Sequence, residues 1–317
     1  MGVGWNLGNT MESLGVKDET GWGNPMTTQA MIDAVKNAGF KTLRVPTSWD
    51  DHFSGSTYTI ATSWLDRVET VVNYGLKDGM YVILNVHHTS GWEDTTLANE
   101  SNARDHLTKL WAQIAARFSK YDDHLIFETM NEPRHADDWT GTQEYFGVVN
   151  RLNAAAVKTI RDTGGNNATR LIMVPSYCAS PQPLQIDALV LPADKMLAVS
   201  THSYIPYSFA LDSKGTASFS NTSEIDTTFA HLNSLFIKKG IPVVMGEWAS
   251  TNKNNLTDRV NHAQYYVKSA KAAGFPVLWW DNQNFVANSS DAMGLLDRRA
   301  LSWHFPEIVN AIMAAAK

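Results

Sequence analysis

The sequence contains one cysteine, Cys178, so it can form no intrachain disulfide and no cysteine-rich metal site. That scarcity leaves the cellular compartment open, because secreted proteins need not carry disulfides. It also lacks any apolar run near the roughly twenty residues that a membrane-crossing helix needs. The opening stretch MGVGWNLGNT has neither the charged region nor the cleavage segment of a secretory leader. Charge of one sign is not concentrated either. The 26 basic and 32 acidic residues are interspersed and leave a net charge of −6, which argues against nucleic acid or an anionic membrane as partner. No break rich in Gly, Ser or Pro divides the chain, so residues 1–317 read as a single domain.

Hydrophobic residues, at 44%, suffice for a large core. Short, continuously apolar runs alternate with longer amphipathic ones from end to end. The runs 3–9, 42–46, 81–88, 125–132, 171–177, 196–204, 242–248 and 276–282 read as strands. Their apolarity is not alternating, as expected of parallel strands covered on both faces. Helical spacing follows them at 27–38, 63–76, 104–121, 144–161, 224–238, 258–273 and 302–316, with at most a short helix in the proline-bearing stretch 181–194. Gly39, Gly79, Gly164, Gly240 and Gly274 stand where these segments should stop. Eight strand-then-helix units imply a (β/α)8 TIM barrel. An open doubly wound sheet is the alternative, but no G-x-G-x-x-G follows a strand.

In such a barrel, function gathers at the carboxyl ends of the strands. Those ends supply Asn9, Arg44, His87 with His88, Asn131 with Glu132, His202 with Tyr204, Glu247 with Trp248, and Trp279, Trp280, Asp281 and Asn282. The opposite ends carry turn residues. The stretch LIFETMNEP (125–133) shows the pattern best: an apolar strand reaches a carboxylate, Glu132, and Pro133 is expected to stop the pairing. Glu132 and Glu247 can do acid and base work if their environments differ. The competing reading makes them structural ion-pair partners of Arg44 and the histidines; two glutamates at matching ends favour function over it.

Other residues admit two readings each. His87, His88 and His202 raise the question of a metal, but adjacent strand residues point to opposite faces and no His-x-His or His-x-x-x-His spacing is present. His88 reads as a hydrogen-bonding pocket residue. His202 and Tyr204, two apart, can share one pocket. Trp280 reads as the floor of a ligand subsite. Trp22, Trp49, Trp92 and Trp139 are either sugar-stacking platforms or local packing. Cys178 reads as a small buried residue. Five N-x-S/T triplets, at Asn99, Asn167, Asn221, Asn255 and Asn288, give slight support for secretion.

The chain resembles glycoside hydrolase family 5, the cellulase family, along nearly its whole length. The resemblance is carried in order by GWNLGNT (4–10), WGNP (22–25), RVPTSW (44–49), LNVHH, MNEP, THSYIPY, MGEW and WWDN. The opening WNLGN and the HSYIPY run look most like the bacterial and rumen-fungal endo-β-1,4-glucanases. The resemblance implies that Glu132 is the general acid/base and Glu247 the nucleophile of a retaining hydrolysis. It implies that Asn131 binds a sugar 2-hydroxyl and that Arg44 and Tyr204 hold Glu247. His87 and His202 would line the cleavage point, with His88 in support, and Trp280 would stack the sugar. It further implies no cofactor and no metal, a β-glucan polysaccharide or cello-oligosaccharide as substrate, a monomer and a secreted location. The segment TSGWEDTT after His88 departs from the family's HHE-like runs. Xyloglucan, mixed-linkage β-glucan, mannan and xylan remain alternative substrates. A metal-dependent barrel hydrolase and a non-catalytic glycan-binding barrel are rivals from other classes.

Overall fold

The protein, described here over residues 1–317 from a computed structural model, is a closed barrel of eight parallel strands. The strands are β1 (Gly4–Leu7), β2 (Thr42–Val45), β3 (Tyr81–Asn85), β4 (Leu125–Glu128), β5 (Ile172–Pro175), β6 (Leu197–His202), β7 (Val243–Trp248) and β8 (Val277–Asp281). Each pairs with its predecessor and β8 pairs with β1, so the barrel has no free edge. The strands are followed in turn by the barrel helices α1 (Gln29–Ala38), α2 (Thr62–Lys77), α3 (Glu100–Arg117), α4 (Gln143–Asp162), α5 (Pro183–Ile186), α6 (Ser223–Leu235), α7 (Leu256–Ala273) and α8 (Pro306–Ala316), with one further helical turn, Tyr207–Ala210, between β6 and α6. This is the (β/α)8 barrel expected from the sequence, with α5 reduced to a single turn among prolines.

Helix positions follow the apolar spacing. In α1, Met31, Ile32 and Val35 face the barrel, and Gly39 closes the helix at φ 114°, a conformation costly for other residues. Inside the barrel, Ile83, Ile126, Met173, Ala198, Val244 and Leu278 form one apolar plug. Two residues further along, on the same strand faces, the lining turns polar: Asn85 follows Ile83, Glu128 follows Ile126 and Ser200 follows Ala198. The plug closes the amino end and leaves the carboxyl end as a polar mouth.

Several strands are shorter than the sequence runs suggest. The ladder of β4 ends at Glu128, so Glu132 lies four residues beyond the strand, not at its tip. Pro133 therefore stops nothing; its carbonyl accepts the Cys178 N–H at 3.0 Å instead. Likewise β3 ends at Asn85, before His87. The last helix begins at Pro306, not 302, because Ser302–Trp303 pairs with Leu296–Asp297 in a small hairpin and proline suits a first helical position.

The start of β4 is fixed by Arg170, which is buried. Its guanidinium donates to the Asn167 side chain at 2.7 Å and to the carbonyls of Asp122, Leu125, Phe118 and Tyr121 at 2.6–3.1 Å. This buries Asn167 and removes it as a glycosylation acceptor. Replacing Arg170 by Ala leaves those acceptors unpaired, and thermal unfolding is expected to show a loss on the order of 3 kcal/mol. Because Arg170 lies at the end of the barrel remote from the mouth, activity at 25 °C should survive.

Candidate active site

The polar mouth is assembled around Arg44 on β2, which is fully buried. Its Nε and Nη2 donate to Glu128 Oε2 at 2.9 and 2.7 Å. Nη1 donates to Asn6 Oδ1 at 3.0 Å and to Glu247 Oε1 at 2.6 Å, and Nη2 also reaches Asn131 Oδ1 at 2.8 Å. Burial works against this charge, but the Glu128 and Glu247 carboxylates outweigh it and hold the guanidinium above its ordinary range. Glu128 is saturated as well: it also accepts from Asn85 Nδ2 at 2.9 Å and from the Ser200 hydroxyl. Asn131 gives its carbonyl oxygen to Arg44, which leaves its amide N–H groups free to donate.

Glu247 reaches this network because β7 carries a bulge. Thr201 pairs with Met245 but His202 pairs with Glu247, and on the other side Val277 pairs with Met245 but Trp279 with Trp248. Both registers gain one extra residue in β7, at Gly246. A Cβ on Gly246 would lie 3.1 Å from His202 Nε2, so a larger residue would crowd the mouth. The extra residue turns Glu247 inward directly after an inward-facing glycine.

The two predicted glutamates meet across His202. Its Nδ1 lies 2.7 Å from Glu132 Oε1 and 3.7 Å from Glu247 Oε1. One oxygen of Glu132, one of Glu247 and a ring nitrogen of His202 all lie within 4.8 Å of one another. Tyr204 Oη donates to Glu247 Oε2 at 2.7 Å. Burial would raise the Glu132 carboxyl, but the hydrogen bond and charge of His202 outweigh it and hold Glu132 below its usual range. His202 is correspondingly raised: burial opposes its charge, and Glu247 and Glu132 overcome that. Burial and the Glu247 carboxylate push the Tyr204 phenol well up, so it remains a donor.

His87 and His88 lie beyond β3, so strand alternation does not separate them. Contrary to the expectation of opposite faces, both line the cavity beside Glu132, with their rings edge to face at 4.5 Å. Burial first, then the nearby His88 and Arg44 charges, hold His87 neutral, and its ring lies parallel to Trp280 at 5.8 Å. The His88 backbone N–H donates to the Ser48 hydroxyl. His87 and His88 do not converge with His202 on one point; the group that does is Glu132, His202 and Glu247, where the Arg44 cation sits 2.6 Å from Glu247. That charge opposes a cation there. Among the loop tryptophans, Trp22 and Trp139 are exposed, whereas Trp49 and Trp92 are buried and donate to Asn85 O and Asp50 Oδ1. Asp281 is committed to structure, accepting from Trp5 Nε1 and the Leu295 and Leu296 amides. Cys178 is buried, and burial pushes its thiol up to about 12, so it is no ready nucleophile.

Four residues of the network were not singled out in the sequence: Asn6, Asn85, Glu128 and Ser200. Asn6 lies level with Arg44 and Asn85 level with Glu128 in the strand registers. For Asn85, Glu128 and Ser200 the available signal was a polar residue two positions after an inward apolar one, inside runs that otherwise read as core.

The sequence model of the family described as cellulase (glycosyl hydrolase family 5) matches residues 7–286. Endoglucanase A of Clostridium longisporum is 44% identical over 339 residues, covering 100% of this chain and 65% of that protein, so the chain spans less than two thirds of that relative. A solved broad-specificity endoglucanase of subfamily GH5-4 from Clostridium cellulovorans superposes with a TM-score of 0.97 at 48% identity, covering 100% of this chain and 94% of that one. A second, from Ruminococcus champanellensis with bound cellotriose, gives a TM-score of 0.94 at 43% identity over 98% of this chain and 95% of that one.

Two measurements follow from the network. Glu128→Gln places an amide among donors and should cost on the order of 2–3 kcal/mol in denaturant unfolding. The His202–Glu132 pair should also imprint a pH window. The lowered Glu132 contributes above pH 4.5 and is lost as pH falls through its folded value; the raised His202 contributes below pH 6.5 and is lost as pH rises through its own. The stability difference between wild type and His202→Gln should therefore peak between these two values.

Proposed function

The chain belongs to glycosyl hydrolase family 5, the cellulase family, and we propose that it is a retaining endo-β-1,4-glucanase cutting internal bonds of cellulose-type β-glucans. The observation that carries this reading is the placement of Glu132 and Glu247, with an oxygen of each within 4.8 Å of the other across a barrel mouth. Retaining glycosidases use carboxyl groups about 5–5.5 Å apart, whereas inverting ones leave room for a water between them. Glu247, fixed by Arg44 and Tyr204, is the nucleophile and bonds to the anomeric carbon. Glu132 protonates the departing glycosidic oxygen, then takes a proton from the water that releases the sugar.

The remaining residues have supporting parts in this reading. The free amide of Asn131 donates to a hydroxyl of the sugar under attack. Trp280 and the parallel His87 ring flank that sugar, and His88 completes the wall. On the other side of Glu132 an apolar trough of about 580 Å³, lined by Trp139, Tyr204, Tyr207 and Pro181 among others, suits the faces of the leaving glucan. The cellotriose bound by the Ruminococcus champanellensis neighbour supports a β-1,4-glucan as ligand. No helix is long and apolar enough to cross a membrane. An insoluble polymer cannot enter a cell, so this activity belongs to a secreted enzyme, here acting as a monomer without metal or cofactor.

Glu132→Gln and Glu247→Gln should each remove nearly all hydrolysis with the fold intact by circular dichroism. Wild-type-like turnover in either variant rejects the assignment. Incubation with cellulose, mixed-linkage β-glucan, xyloglucan, mannan and xylan, with product sizes and the first-formed anomer read out, tests substrate, endo-action and retention together. Loss of activity on a strong chelator would favour the metal-dependent rival.

A further inference from the structure

Glu132 and Trp139 line the same apolar trough, the one that receives the leaving glucan on the reading above. Oε1 of Glu132 is occupied by His202, so Oε2 is the oxygen that meets the glycosidic oxygen. Arg134 Nη1 lies 3.7 Å from Oε2, within ion-pair range but beyond a hydrogen bond, which leaves the Oε2 lone pairs free. Nη1 also donates to the Glu132 carbonyl at 3.2 Å, and the guanidinium lies 4.3 Å over the Trp139 ring. Arg134 pairs with no other carboxylate, and its buried Nε has no protein partner. It lines the polar cavity between the loops after β3 and β4, not the trough, and so stands behind both residues.

The backbone around Trp139 is fixed without Arg134. Gln185 Nε2 donates to the Trp139 and Thr140 carbonyls at 3.3 and 2.7 Å, and Asp138 Oδ1 accepts from the Thr140 and Gly141 amides, both at 2.9 Å. The Tyr177 hydroxyl donates to the Asp138 carbonyl. The indole is a different matter. It is 54% exposed, and the guanidinium covers one of its faces. A cation seated on that face limits how far an exposed ring can turn.

We propose that Arg134 is the positioning residue of the leaving-group side: its guanidinium braces the covered face of Trp139 and the Oε2 side of Glu132 at once, so that a sugar stacked on the open face of the indole presents its glycosidic oxygen to that carboxyl. Resting on the glucanase reading, Arg134 touches no sugar and acts through the two residues it braces. Its charge leaves a second mark. Burial pushes the Glu132 carboxyl up, and His202, then Arg134 and His88, outweigh it. Glu93 after β3, Cys178 after β5, Tyr204 after β6 and Glu247 on β7 also face this carboxyl. Removing the Arg134 cation therefore raises it.

The test is a double-mutant cycle on cellotetraose at pH 7. Arg134→Met and Trp139→Ala should each lower kcat/KM about tenfold, and the double variant should fall no more than about twofold below the weaker single variant, because the two side chains act as one unit. Arg134→Met should also move the alkaline limb of kcat/KM up by about one pH unit, since that limb reads the acid carboxyl. Arg134→Lys keeps a charge but not the planar group over the indole. It should hold the limb near its wild-type position while the cellotetraose loss persists, and it carries the cycle if the Met variant fails to fold. Losses that multiply in the double variant, an unmoved limb in Arg134→Met, or wild-type kcat/KM in Arg134→Lys overturns the proposal while the glucanase reading stands. Wild-type enzyme inactive on cellotetraose and on every other β-glucan would instead overturn that reading, and the proposal with it.

Discussion

A buried guanidinium on β2 governs this structure. Arg44 has no water around it, and an unpaired charge in that position would cost several kcal/mol. Its five N–H directions are answered by Asn6 of β1, Glu128 of β4, Asn131 beyond β4 and Glu247 of β7. The requirement to satisfy one cation thus ties together strands from opposite sides of the barrel. Glu247 and Asn131 are placed by that requirement before any ligand arrives, which is the preorganisation that a reactive site needs.

The two glutamates of the mouth share neighbours but not environments. Glu247 meets a permanent cation and a phenol that stays neutral. Glu132 meets a histidine whose charge depends on pH, and a polar cavity open to water. One carboxylate is therefore set against fixed donors and the other against groups able to exchange protons. This asymmetry follows from where each glutamate leaves the barrel: Glu247 within a strand, Glu132 on a loop with side chains on both flanks.

The barrel was legible in the sequence because buried parallel strands write themselves as continuous apolar runs, and helices as spaced ones. Arg44, Glu132, Glu247, His202 and Tyr204 were legible because they end or follow such runs, and the structure brings these five together. Strand lengths were not: apolar residues beyond Asn85 and Glu128 pack in loops, and hydrophobicity does not distinguish a loop that is buried from a ladder that continues. Glu128 was hidden for a related reason. It stands inside LIFE, where its neighbours declare a core, and only the register with Asn85 and the reach of Arg44 show that the core is polar at that level. His87 and His88 were misjudged by applying strand alternation past the end of the strand.

The extra residue at Gly246 has a consequence for parity. Along a regular strand, inside and outside are assigned by odd and even positions. In β7 the count resets at Gly246, so Glu247 faces the barrel interior while Trp248 is sent outward to stack on Tyr266 of α7. Regular alternation through Gly246, without the bulge, would exchange the two, placing an indole in the mouth and a carboxylate against the helix layer. An alignment of this strand that scores apolar alternation alone will therefore assign the acid to the wrong side of the wall, because the bulge sets Gly246 and Glu247 side by side on the inner face.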